Sequence, residues 1–111
     1  MAEPIIITME DGKEYKLEFD RKSVAFSERI GFSVFDVQEK LMTRIPELFW
    51  VAFRKNHPDI TQEQAEHILF DELGGTWDAL TERLVELYTD AYTSLINDEG
   101  KPKNPKVRIL M

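Results

Sequence analysis

Apolar and polar residues alternate from Ile5 to Phe19, IIITMEDGKEYKLEF, and the spacing then shifts to three or four residues through most of the remaining chain. The alternating stretch predicts a hairpin turning at Asp11-Gly12. A two-residue loop would set Ile5, Ile7 and Met9 opposite Glu14, Lys16 and Glu18. A three-residue loop, Glu10-Asp11-Gly12 with left-handed Gly12 in a bulge, pairs Ile7 with Tyr15 and Ile5 with Leu17. Ile5, Ile7, Met9, Tyr15, Leu17 and Phe19 then share one face, and this register is expected because it buries more. A lone hairpin is marginal in water, so that face should lie on helices.

Asp20 is placed to cap a helix over 21–30, with Gly31 as its left-handed stop and Phe26 and Ile30 on its inner face. Ser33 can cap a further turn through Val34, Phe35 and Val37. The next helix, 43–55, has Thr43 as its expected cap, tolerates Pro46 only in its first turn, and ends before His57-Pro58. Thr61-Gln62-Glu63-Gln64 is a capping box opening a helix over 62–73, with Ala65, Ile68, Leu69 and Phe70 inward and Gly74-Gly75 ending it. Thr76 then caps the longest helix, 77–97, whose apolar positions 77, 80, 84, 87, 88, 91, 92 and 95 follow the 3.6-residue period. The fold class expected is mostly helical α+β, an N-terminal β-hairpin packed on about four helices over residues 1–97. Residues 98–111 form a basic, proline-containing tail ending in VRILM, a candidate C-terminal strand.

A chain of 111 residues suits one core. It has no cysteine, which excludes disulfides and thiolate metal sites. Neither a signal peptide nor an apolar run long enough to span a bilayer is present, so a soluble protein with no membrane partner is expected. The net charge of −7 argues against a nucleic-acid partner and for a protein partner. That charge is uneven. From Thr61 to Gly100 ten acids stand against Arg83 alone, whereas Lys101, Lys103, Lys106 and Arg108 follow with no acid among them.

No pattern points to catalysis, and no enzyme activity or cofactor is expected. His57 ends a helix, His67 has Glu63 one turn before it but no third ligand at metal spacing, and the serines lack the turn that exposes a hydrolase nucleophile. Three features are candidates for partner binding instead. PELFWVAF, residues 46–53, is apolar most of the way round a helix. Residues 45, 48, 49, 52 and 53 form one stripe, while Trp50 and Val51 point about 100° from their neighbours. This describes a central helix sandwiched by the hairpin and the long helix, or a helix that leaves Phe49, Trp50 and Phe53 as a patch for an apolar partner. Asp78, Glu82, Glu86 and Asp90, four residues apart, stack in one stripe that is either a solvated outer face or a dock for a basic segment, this chain's own tail included. In the tail, Val107, Ile109 and Leu110 suit a third strand or strand addition to a partner.

The hairpin DGKEYKLEF, the helix ending in the GF of ERIGF, then LMTRIPELFWVAFRKNHPDIT, an acidic helical remainder and a short tail follow one another in an order and spacing that resemble a phage protein family. That family is the small tail assembly chaperones of long-tailed phages and prophages of Gram-positive bacteria, and the resemblance covers residues 5–97. It implies a protein of the bacterial host cytoplasm that binds the long, helical, apolar tape-measure protein and keeps it soluble. It also implies a role in assembling the tail-tube protein around that client. The candidate binding surfaces themselves also suit self-association into a homo-oligomer. Two other readings compete: a structural head-tail or tail-completion component retained in the virion, and an acidic inhibitor of a host nucleic-acid-binding protein.

Overall fold

The hairpin takes the register with the three-residue loop. In the computed structural model, which describes residues 3–96, β1 (Ile5–Thr8) and β2 (Glu14–Leu17) are antiparallel, with Ile5 facing Leu17 and Ile7 facing Tyr15. Gly12 has φ 89° and donates its N–H to the Met9 carbonyl at 2.9 Å, while the Asp11 carboxylate accepts from the Lys13 N–H at 2.9 Å. A side chain at Gly12 would be strained in that conformation, so this residue fixes the loop and hence the face. Ile7, Tyr15, Leu17 and Phe19 are buried on it.

Asp20 caps α1 (Arg21–Arg29) as expected. Its carboxylate accepts from the Ser23 N–H at 2.8 Å, and the Ser23 hydroxyl accepts from the Asp20 N–H at 2.7 Å. The buried face of α1 differs from the expected one: Ser23, Val24 and Ser27 are innermost, and Phe26 and Ile30 are partly buried at its edge. The buried serines are affordable because each is bonded. Ser27 donates to the Val24 carbonyl at 2.6 Å and shares a 2.9 Å hydrogen bond with the Tyr88 hydroxyl of the last helix. Burial pushes the Tyr88 phenol above its ordinary range, against the pull of that bond. Ser33 then caps one 3₁₀ turn, Val34–Asp36, by accepting from the Phe35 N–H.

α2 (Leu41–Phe53) begins a half-turn earlier than expected, which puts Pro46 beyond the first turn. Thr43 is not its cap; Lys40 is, with no side-chain bond, and the Lys40 carbonyl takes the Thr43 and Arg44 N–H groups at 3.0 and 2.8 Å. The cause is Arg44. Its guanidinium bonds both oxygens of Asp36 at 2.9 and 3.2 Å and the Glu47 carboxylate at 2.8 Å, which clamps the turn before Pro46 onto the 3₁₀ segment. Pro46 has no N–H for the Met42 carbonyl, and Met42 is exposed, so water can serve that group.

α2 is the central helix. It packs on β2, α1, α3 (Gln62–His67) and α4 (Asp78–Leu95), and Ile45, Leu48, Phe49, Val51, Ala52 and Phe53 are all fully buried. Phe53 meets Phe49 at 5.1 Å and Tyr15 at 5.3 Å, edge to face. The C-terminal turn also covers the free edge of β2. The Lys16 N–H donates to His57 Nε2 at 2.9 Å, Asn56 donates to the Lys16 carbonyl at 3.1 Å, and the Glu18 N–H reaches the Ala52 carbonyl at 3.0 Å.

Thr61 and Gln64 form the capping box that opens α3, and a π turn, Ile68–Glu72, continues it with Ala65, Ile68 and Leu69 buried. α4 starts one residue later than expected: Thr76 does not cap it, and Trp77 is extended at the cap position with no side-chain bond, 45% exposed. Leu80, Leu84, Leu87 and Tyr88 of the apolar stripe are buried, and Phe19 and Phe32 close on Tyr88 at 5.3 and 5.0 Å. Tyr92 and Leu95 carry the same stripe past the core and stand exposed. The expected C-terminal strand lies outside the described residues.

Two stability outcomes follow from these contacts. Trp50 is half-buried, with its ring against Phe26 at 5.2 Å and its indole N–H donated to the Ile60 carbonyl at 3.1 Å. Trp50→Ala should therefore cost about 3–5 kcal/mol in urea unfolding, and a loss under about 1 kcal/mol would place the ring outside the core. The Arg44 guanidinium holds the Asp36 carboxyl below its ordinary value of 3.8. A carboxyl lowered on folding stabilises above that ordinary value, and its contribution is lost as pH falls through the lowered one. Urea midpoints should drop on acidification below about pH 4, and less so in Asp36→Asn; equal acid sensitivity would mean the clamp contributes nothing.

Candidate functional site

The three sequence candidates separate once folded. Phe49 and Phe53 are 0% exposed and offer no surface to a partner, because β2, α1, α3 and α4 pack around that part of α2. Trp50 has an exposed edge, but its polar atom and one ring face are already engaged within the chain. Val107, Ile109 and Leu110 lie outside the described residues. Asp78, Glu82 and Glu86 do stand exposed on α4, with Asp90 half-buried.

A surface that sequence reasoning missed runs beside that acidic stripe. The 3₁₀ turn and the start of α2 form one wall of a groove, and the outer side of α4 forms the other, enclosing about 610 Å³. Val34, Val37, Leu41 and Val85 are the apolar part of its lining, and Glu82, Glu86 and Asp90 the acidic part along α4. The Ser33 cap and the Asp36–Arg44 clamp set the first wall at its height. The second wall is a row of α4 residues four apart, Thr81, Val85, Thr89 and Thr93, next to the carboxylates at 82, 86 and 90. Among the described residues, Arg83 stands by this acidic row, donating to Glu86 at 2.7 Å and to the Glu3 carbonyl.

The first wall carries further apolar surface. Phe35 is 94% exposed and Met42 68% exposed, on either side of Leu41 in sequence, which is itself half in the groove. Large side chains this open on a short segment are unusual for surface that stays in water. The groove runs along about 18 Å of α4, three turns or so. Its chemistry is recognition: an apolar lining for aliphatic side chains and carboxylates for cations beside them.

A larger concavity of about 730 Å³ lies against α1 and has the opposite character. Arg21, Lys22, Arg29, Arg54 and Lys55 line it, with Phe26 beneath the Arg54 guanidinium at 3.9 Å. Among the described residues, no group of three His, Cys, Asp or Glu is placed to hold a metal ion, and no helix is long and apolar enough to cross a membrane.

The groove had a signal in the sequence. Val85 is off the inward stripe of α4 and is flanked one turn away on each side by Thr81 and Thr89, a weakly apolar row beside the acidic one. A second helix face with that composition, next to an Val34-Phe35-x-Val37 turn, marks a pairing that neither segment shows alone.

A model of one protein family, described as "Domain of unknown function (DUF5055)", matches residues 1–110, and the chain belongs to that family. No curated protein matches the chain. No solved structure matches it either. The family description names no activity, so function rests on the groove.

Because Phe35 touches so little, Phe35→Ser should change unfolding stability by no more than about 0.5 kcal/mol. A loss above about 2 kcal/mol on chemical denaturation would show that the ring is covered in solution.

Proposed function

We propose that this protein is a tail assembly chaperone that holds an amphipathic helix of the tape-measure protein in the groove between the 3₁₀ turn and α4. The observation that carries this reading is the apolar lining of Val34, Val37, Leu41 and Val85 with carboxylates along α4. A helix presenting aliphatic residues at three-and-four spacing, with Lys or Arg alongside, complements both parts. Phe35 and Met42 extend the contact past the groove. The order of segments from the hairpin to the tail, resembling the tail chaperones of long-tailed phages, supplies the identity of the client.

Holding a long apolar client soluble needs two properties on one molecule. One is apolar surface left open to a client, which Phe35, Leu41 and Met42 supply beside the partly buried Val34 and Val85 of the groove, now that Phe49 and Phe53 are accounted for in the interior. The other is net charge, and the chain's −7 keeps a loaded complex dispersed. A client with many similar helices would engage several copies, so each contact can be weak and the whole still hold by avidity. Bringing the tail-tube protein to the same client, in the host cytoplasm, is the further step this role implies.

Co-expression with a tape-measure fragment tests the proposal. The wild-type chain should raise the soluble fraction of the fragment several-fold and co-purify with it. Leu41→Lys, which places a cation at an exposed position lining the groove, should abolish both while its thermal melt stays near wild type. No rescue by folded wild-type protein would contradict the chaperone role and favour a structural component, whose mark is presence in purified virions.

A further inference from the structure

We infer that the basic concavity against α1 receives the acidic outer face of α4 from a second copy of this chain, so that copies join head to tail. This docking does not rest on the function proposed above.

The cations of the concavity lie on one helix face. In α1, Lys22, Ala25, Phe26 and Arg29 stand at positions i, i+3, i+4 and i+7, turned away from the buried Ser23 and Ser27. Lys22 and Arg29 are thus about 10.5 Å apart along the axis. Arg54 joins them from the end of α2, with its guanidinium 3.9 Å over the Phe26 ring. Among the described residues, Arg21, Lys22 and Arg29 pair with no carboxylate. Asp20 also lines the concavity, but its carboxylate is held by the Ser23 N–H, and Lys55 is paired with Glu18 at 3.3 Å. The charge left unmatched there is positive.

Two features select protein carboxylates over the phosphates of a nucleic acid. The chain's net −7 repels a polyanion along its whole length. The aromatic ring in the lining, Phe26, is already engaged by Arg54 and by Trp50 at 5.2 Å, so stacking on a base is not what the site offers. What it does offer is guanidinium groups, one of them held in place on a ring, whose fork matches a carboxylate.

The matching row is on α4. Asp78, Glu82 and Glu86 are exposed at four-residue intervals, on the side away from Leu84 and Tyr88. They span about 12 Å, close to the separation of Lys22 and Arg29. Among the described residues, Arg83 pairs with Glu86, and no cation pairs with Asp78 or Glu82. These carboxylates cannot reach the concavity of their own molecule. Ser27 of α1 bonds Tyr88 of α4 at 2.9 Å, so the inner sides of the two helices meet and both charged faces point outward.

Charge that is unmatched on each face within one molecule is matched between two. At about 0.1 M salt, fields are screened within about 10 Å, so the groups in contact decide the encounter and not the net charge of each copy. Two different patches meet, which makes the contact heterologous: it extends into a chain of copies or closes into a ring. Glu82 and Glu86 also line the groove, so on the function proposed above a client helix and a second copy exclude each other on α4.

The chain lacks cysteine, so an introduced thiol is the only one in its molecule. Ala25 lines the concavity, and Ala79 is exposed on the acidic side of α4. Full-length Ala25→Cys and Ala79→Cys proteins are mixed equally and mildly oxidised. The 25–79 cross-link should exceed the 25–25 and 79–79 products together by at least about fivefold. Sedimentation supplies an independent arm. The weight-average mass of wild type should rise by about half or more between about 10 µM and 1 mM protein. Lys22→Glu/Arg29→Glu and Asp78→Lys/Glu82→Lys, all at exposed positions, should each associate at least about tenfold more weakly. A mixture of these two variants should associate again, because each offers the charge the other lacks. Mainly 25–25 or 79–79 cross-links, variants that associate like wild type, or a mixture as weak as its parts would overturn the docking. So would a wild type that stays monomeric, and one that does so while binding a single-stranded oligonucleotide through Lys22 and Arg29 would assign the concavity to phosphates.

Discussion

Everything in this fold depends on the enclosure of α2. Six of its residues between Ile45 and Phe53 are fully buried, and no one neighbour covers them: β2, α1, α3 and α4 each take a part. Burying a large apolar side chain contributes about 1.5–3 kcal/mol, and this helix concentrates that gain on one rod. The constraint it imposes is geometric. A helix apolar most of the way round must be surrounded, so the short hairpin, the capped α1 and the long α4 are held at positions fixed by α2.

Enclosure decides which surface is left for others. The aromatic residues that make PELFWVAF conspicuous are used up inside, at Phe49 and Phe53, and Trp50 is tied to Ile60 and Phe26. What remains open is where two neighbours of α2 fail to meet: the 3₁₀ turn held by Asp36 and Arg44 on one side and the outer row of α4 on the other. The groove is thus a by-product of the clamp at the start of α2. Without the bidentate Arg44–Asp36 contact, the wall bearing Val34, Val37 and Leu41 would have no fixed height above Val85.

Elements whose signals are local were legible in the sequence. The hairpin register followed from matching apolar faces, the Asp20 and Thr61 caps from their side chains, and the central position of α2 from its all-round apolarity. The misplaced features each depend on a partner distant in sequence. Pro46 sits past the first turn because Asp36 pulls Arg44 back, and Ser27 is buried because Tyr88, far along the chain, supplies its hydrogen bond. Trp77 was read as the first helical residue from its apolarity, yet it is 45% exposed and marks the extended cap position. The acidic stripe was visible by itself, whereas the groove beside it is a relation between two segments, the Thr81, Val85 and Thr89 row and the Val34–Val37 turn, and shows only when the two are paired.

On the function proposed above, an apolar client helix is recognised between the 3₁₀ turn and α4. The most direct measurement is the change in backbone amide shifts when a lysine-containing amphipathic tape-measure helix is added to isotope-labelled protein. The largest changes should fall on Val37, Leu41, Val85 and Thr89, with the hairpin nearly still. Changes centred on Trp50 and Ile60, or on the basic concavity from Arg21 to Arg29, would contradict it.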